Sequence, residues 1–92
     1  MAFEWDDAKQ LSNLMKHDID FSDAQLLFDG RPVVVLPGTN TDEERFLTVG
    51  LLDNRFMTVV WTRREANIRI ISARRSRHAE KRIYQSVHGR GT

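Results

Sequence analysis

The chain contains no cysteine, which excludes a disulfide framework, a thiolate metal site and a cysteine nucleophile, and leaves the fold to an apolar core or a partner's surface. Histidine is scarce. His17, His78 and His88 lie far apart and share no ligand spacing, so no metal site is expected. The scattered glycines form no phosphate-cradling loop; Gly30, Gly38 and Gly50 read as turn or bulge residues. Long apolar runs are missing as well. Val33 to Leu36 is far too short to span a bilayer, and Met1 to Asp7 lacks the basic flank and apolar stretch of a signal peptide. These absences point to a reducing cytoplasm, no membrane and no cofactor.

What remains is 92 residues, 40% hydrophobic and 29% charged. Two independent cores would leave each half too small to bury enough surface, so residues 1–92 read as one domain, with a frayed tail over 89–92. The net charge of +1 hides an asymmetry: residues 1–60 hold 5 basic and 11 acidic side chains, and residues 61–92 hold 9 basic and 2 acidic. Eleven of the fourteen basic residues are arginine, whose planar fork suits phosphate. A basic face for nucleic acid is the reading this favours.

The spacing predicts a first helix from a cap at Asp6 or Asp7 to about Lys16, with Ala8, Leu11 and Met15 as its core stripe. Ser22 and Gln25 read as a capping box for a second helix, stapled by Phe21 on Leu26 and ending near Asp29-Gly30. A strand over Val33–Leu36 follows, then a polar loop over 38–44. Three further strands run over 45–52, 56–62 and 68–73, with turns short enough to make them antiparallel. In the last, Ile68, Ile70 and Ser72 alternate with Arg69, Ile71 and Ala73. Ser76 can cap a closing helix with Ala79, Ile83 and Val87 inward. The expected fold is α+β: two N-terminal helices, a four-stranded antiparallel sheet and a C-terminal helix, the helices against one face. Phe46, Val59, Trp61, Ile70 and Ile83 are the expected core, and Tyr84 is expected to pack.

Phe3-Glu4-Trp5-Asp6 with Lys9, Asn13 and His17, then Phe21, Phe28-Asp29, Glu43-Glu44-Arg45-Phe46 and the run from Ile68 to Arg75, resemble the BrnT family of bacterial toxins over about residues 3–84. The resemblance implies a compact RelE-like ribonuclease fold, metal-free RNA cleavage and growth arrest. It also implies neutralisation by a BrnA-like antitoxin with a ribbon-helix-helix part, in an assembly with two copies of each chain that reaches operator DNA only through the antitoxin. Relatives often carry Thr-Glu after the third strand; here Thr62 is followed by Arg63.

Metal-free cleavage sends a 2′-hydroxyl onto its own phosphate, so it needs a proton acceptor, a proton donor and cations for the phosphoryl oxygens. Lys9, His17, Glu44, Arg69 and Arg74 are the candidate catalytic residues, with Lys9, His17 and Glu44 all chemically competent as the base. Trp5, Asn13, Arg63, Arg64, Arg75 and Arg77 are candidate nucleic-acid contacts, Trp5 by stacking and the arginines through phosphate. The competing expectation keeps the basic face but uses it only to bind nucleic acid or an acidic antitoxin.

Overall fold

A computed structural model describes residues 2–39 and 42–89. Met1, the centre of the polar loop at Asn40 and Thr41, and residues 90–92 of the tail expected over 89–92 lie outside the described residues, while Gly89 closes the last helix through its amide on the Gln85 carbonyl. In chain order the elements are β1 (Phe3–Glu4), α1 (Asp7–His17), α2 (Phe21–Ala24) with a 3-10 turn over Gln25–Phe28, β2 (Val33–Pro37), β3 (Arg45–Leu52), β4 (Arg55–Arg64), β5 (Asn67–Arg75) and α3 (His78–His88). The sheet order is β1-β5-β4-β3-β2. Strands β2 to β5 pair antiparallel as expected, while β1 adds a fifth strand parallel to β5 and makes the sheet mixed. Two residues are too few to show an alternation, which is why β1 escapes a periodicity reading.

The sheet carries helices on both faces, and each face has its own core. On one, α2 and the 3-10 turn cover Met57, Val59, Trp61, Ile68, Ile70 and Ala73 with Phe21, Ala24 and Leu27. Rings interlock there edge to face, Phe28 on Trp61 at 5.5 Å and Phe3 on Phe28 at 5.4 Å, and the Trp61 indole donates to Thr48 at 2.7 Å. On the other face α3 lays Tyr84 over Val34 and Val49, with Phe56 5.3 Å away. Since α3 lies over β2 and β3, the β5 side of that face is left open.

Both long helices turn a different side inward from the one their apolar spacing predicts. In α1, Leu11 is 60% and Met15 81% exposed, and Ala8 is exposed with them. Asn13 is buried instead, with Gln10, Leu14 and His17 half-buried. Asn13 explains the rotation. Its Oδ1 accepts from the Ala73 amide at 3.2 Å while its Nδ2 donates to the Ala73 carbonyl at 2.8 Å and to the Ile19 carbonyl at 3.1 Å. One side-chain amide thus pairs with the edge of β5 as a neighbouring strand would, just where β1 has ended. In α3, Glu80 and Tyr84 are buried, whereas Ala79, Ile83 and Val87 face outward, so Ile83 is not core.

The caps also shift. Asp6 caps α1, accepting from Ala8 and Lys9 amides at 2.9 and 3.1 Å. Asp20, not Ser22, caps α2, accepting from the Ser22 amide at 2.8 Å, and Phe21 is fully buried in the first turn while Leu26 is exposed, so the staple does not form. Arg77 rather than Ser76 holds the N-cap position of α3.

Strand β5 contains a bulge: Trp61 faces Ile70 but Val60 faces Ser72, leaving Ile71 as an extra residue. Beyond it the alternation inverts. Ile68, Ile70, Ala73 and Arg75 lie on the aromatic face, and Arg69, Ser72 and Arg74 on the open one. The strand runs through Arg75, so Arg74 and Arg75 belong to the sheet and not to the loop where they were expected.

Candidate functional site

The open face is built from register. Arg45, Thr62, Arg69 and Glu4 are successive partners across β3, β4, β5 and β1, a row of four same-face side chains at about 4.8 Å per strand. The next row runs Leu36, Leu47, Val60 and Ser72, and the one after Val34, Val49, Thr58 and Arg74. Leu47 and Val60 floor a cleft of about 560 Å³ walled by Arg45, Arg74, Arg77 and the Pro37–Thr39 segment. The Gly38 amide donates to the Arg45 carbonyl at 2.8 Å, and a Cβ on Gly38 would stand 2.9 Å from the Arg45 Cβ. That wall therefore fits only without a side chain.

Every arginine of the row is met by an acid. Arg45 Nε donates to Glu43 at 3.2 Å; Arg69 Nη1 and Arg64 Nε lie 3.4 and 3.5 Å from Glu4 Oε1. The tightest contact lies deeper. Arg74 donates through Nη1 and Nη2 to the two Glu80 oxygens, both at 2.9 Å, and Glu80 also accepts from the Arg77 amide at 2.8 Å and the Thr58 hydroxyl at 2.9 Å. Ser76 completes the network through Thr58 at 2.8 Å. The Arg74 guanidinium, helped by the Arg77 amide and the Thr58 hydroxyl, overrides desolvation and lowers the Glu80 carboxyl to about 2.

A second, smaller groove of about 160 Å³ lies between α1 and β5, lined by Lys9, Asn13, Lys16, His17, Ile71 and Ser72. Ser72 is the register partner of Val60 on the cleft floor, so groove and cleft are one strand spacing apart.

The structure thus brings Arg69, Arg74, Arg64 and Arg77 to one face, with Lys9 and His17 in the adjoining groove. Glu44 is exposed just before β3 and meets the row through its carbonyl, which accepts from the Thr62 hydroxyl at 2.6 Å. Four candidates fall elsewhere. Arg63 and Arg75 project from the opposite face, Arg63 with its guanidinium 5.9 Å from the Trp61 ring centroid. Asn13 is buried and committed to backbone groups, so it has no donor to offer a nucleic acid. Trp5 is half-buried and packs edge to face on Phe21 at 5.9 Å and against the core. Tyr84, 2% exposed, packs between Phe56 and His88 as expected.

Sequence reasoning overlooked Arg45 as a cleft wall, and both Glu4 and Glu80. Glu80 stands three residues after Arg77, a capping-box spacing that could have marked it; Glu4 gains its meaning only from β1. Among the described residues no group of three or more His, Asp or Glu is arranged to hold a metal ion, and no helix is long and apolar enough to cross a membrane.

The model of one protein family matches the chain over residues 5–80, and its description is the ribonuclease toxin BrnT of type II toxin–antitoxin systems. A search of curated proteins finds no significant match.

Proposed function

This chain belongs to the BrnT ribonuclease toxins of type II toxin–antitoxin systems, and on that premise we propose that it cuts RNA without a metal ion, by attack of a 2′-hydroxyl on the adjacent phosphate. The observation that carries this reading is the arginine-walled cleft beside the Arg69 row. A phosphodiester laid over Leu47 and Val60 has the row of Arg45 and Arg69 on one side, with Arg64 beyond it, and Arg74 with Arg77 on the other. Arg69 stabilises the charge that grows on the phosphoryl oxygens in the transition state, where one well-aimed donor is worth about 2.7–4 kcal/mol. Arg74, braced by Glu80, offers its remaining N–H groups without having to be ordered by the substrate. Lys9 and His17, one strand away, are placed to exchange protons or hold a flanking phosphate.

A type II toxin has an antitoxin partner. We take it to be BrnA-like, with a ribbon-helix-helix part, to form a two-plus-two assembly and to silence the toxin by covering the arginine cleft.

The test is to incubate the antitoxin-free protein with RNA in EDTA beside an Arg69→Ala variant and to analyse the fragment ends. Fragments ending in 2′,3′-cyclic phosphate are expected from the unaltered protein, with turnover about 10²–10³-fold lower in the variant and RNA binding nearly intact. Intact RNA that is nonetheless retarded on a gel would replace the ribonuclease reading with a binding one.

A further inference from the structure

Going one step beyond the ribonuclease reading, on which this rests, we propose that Glu4 is the general base that takes the proton from the attacking 2′-hydroxyl. Glu4 stands at the β1 end of the row Arg45, Thr62, Arg69, Glu4, on the same face as the cleft. Its Oε1 is shared by Arg69 Nη1 at 3.4 Å and Arg64 Nε at 3.5 Å, while Oε2 accepts from Asn67 Nδ2 at 3.3 Å. A phosphate engaged by Arg69 and Arg64 is therefore brought beside this carboxylate, within the hydrogen-bond reach a base requires of the neighbouring 2′-oxygen.

Comparison with the other acid of this face sharpens the assignment. Glu80 is bound at 2.9 Å by both terminal nitrogens of Arg74, takes two more donors and keeps its side chain about 10% exposed. Oε1 takes three of those donors and Oε2 the fourth, and burial keeps both oxygens from substrate. Glu4 has longer contacts and a side chain 32% exposed, so its oxygens can leave the arginines as a phosphate arrives. The earlier candidates are less well placed: Lys9 and His17 lie across the Ser72 groove, and Glu44 meets the row through its carbonyl.

The step balances without a co-reactant. The O2′–P bond forms as the P–O5′ bond breaks, the 2′-hydroxyl proton passes to a Glu4 oxygen, and the leaving 5′-oxygen takes a proton from His17 or solvent. The product is a 2′,3′-cyclic phosphate, and Glu4 returns its proton to water.

A purely structural Glu4 would only tie β1 to β4 and β5, and the test separates the two roles. Full-length protein, Glu4→Gln, Glu4→Asp and His17→Ala are compared on a single-stranded RNA oligonucleotide in EDTA, and on the same oligonucleotide with sulfur in place of the 5′-bridging oxygen. Sulfur leaves without a general acid but still needs a base. For Glu4→Gln the expected result is kcat reduced at least about 100-fold, KM and melting temperature near those of the unaltered protein, and a loss equally large on the sulfur substrate. Glu4→Asp should recover part of the rate. Turnover of Glu4→Gln within a few-fold of the unaltered protein would overturn the assignment. So would a loss erased by the sulfur leaving group, or one matched by a rise in KM or a fall in melting temperature in both Glu4 variants. Inert unaltered protein would overturn the ribonuclease reading and Glu4's role with it.

Discussion

The two faces of this sheet are made from the same strands and do opposite work. The aromatic face is closed: α2 and the 3-10 turn bury Phe21 and Leu27 against Val59, Trp61 and Ile70, and its polar side chains are few and satisfied. The face under α3 is closed only over β2 and β3, and beyond Tyr84 it gives way to arginines, of which Arg45, Arg64, Arg69 and Arg74 are each met by an acid. Closing one side frees the other to carry charge, because a small domain that exposes a basic cleft must find its hydrophobic burial elsewhere.

The largest break in that contrast should come from the closed face. Phe21→Ala removes a fully buried ring from the centre of the aromatic core and is expected to cost about 3–5 kcal/mol, read by urea unfolding, enough to leave the domain marginal.

The open face should show its own stability term in acid. The folded-state value for Glu80 lies below its unfolded one, so the bridge to Arg74 contributes fully above about 4.5 and is lost as the pH falls toward about 2. The shift corresponds to about 3 kcal/mol. Unfolding measured across that window should show the decline in the unaltered protein, and a Glu80→Gln variant should lack this part of it.

Between the faces lies the β5 edge. Asn13→Ala would leave the Ala73 amide and carbonyl unpaired, at an expected cost of about 1–3 kcal/mol. Hydrogen exchange at the Ala73 amide should quicken while the Val59 and Thr58 amides stay protected. The smallest effect is reserved for α1's outer side: Met15→Ser should change stability by less than about 0.5 kcal/mol, because Met15 already stands in solvent. A larger drop in its melting temperature would mean that this side is not free.

Much of the fold was legible because strands β2 to β5 announce themselves by β-branched runs between turn residues, and Asp6 by its cap chemistry. Arg69 was legible as well, as a cation set amid an apolar strand. The helix faces were not. Ala8, Leu11 and Met15 have the spacing of a core stripe, but the hydrogen bonds of Asn13 to a strand edge rotate α1 the other way, and periodicity cannot see that partner. Likewise Ile83 loses its place to Tyr84 and Glu80 because Glu80 has the half-buried Arg74 to meet. Arg63 and Arg75 were grouped with the site on charge alone, which is blind to the side of a sheet.

Arg69 and Arg74 are separated by an odd number of positions, and an uninterrupted strand would send them in opposite directions. The single surplus residue at Ile71 changes the parity of the strand and turns both guanidiniums toward the same cleft. Straightening the bulge into a regular strand of the same length would preserve every side chain of the cleft wall and still dismantle it, exchanging Arg74 with Arg75 and Ala73 with Ser72, whereas deleting Ile71 would leave Arg69 and Arg74 four positions apart and on one face. The site is thus encoded partly as a count.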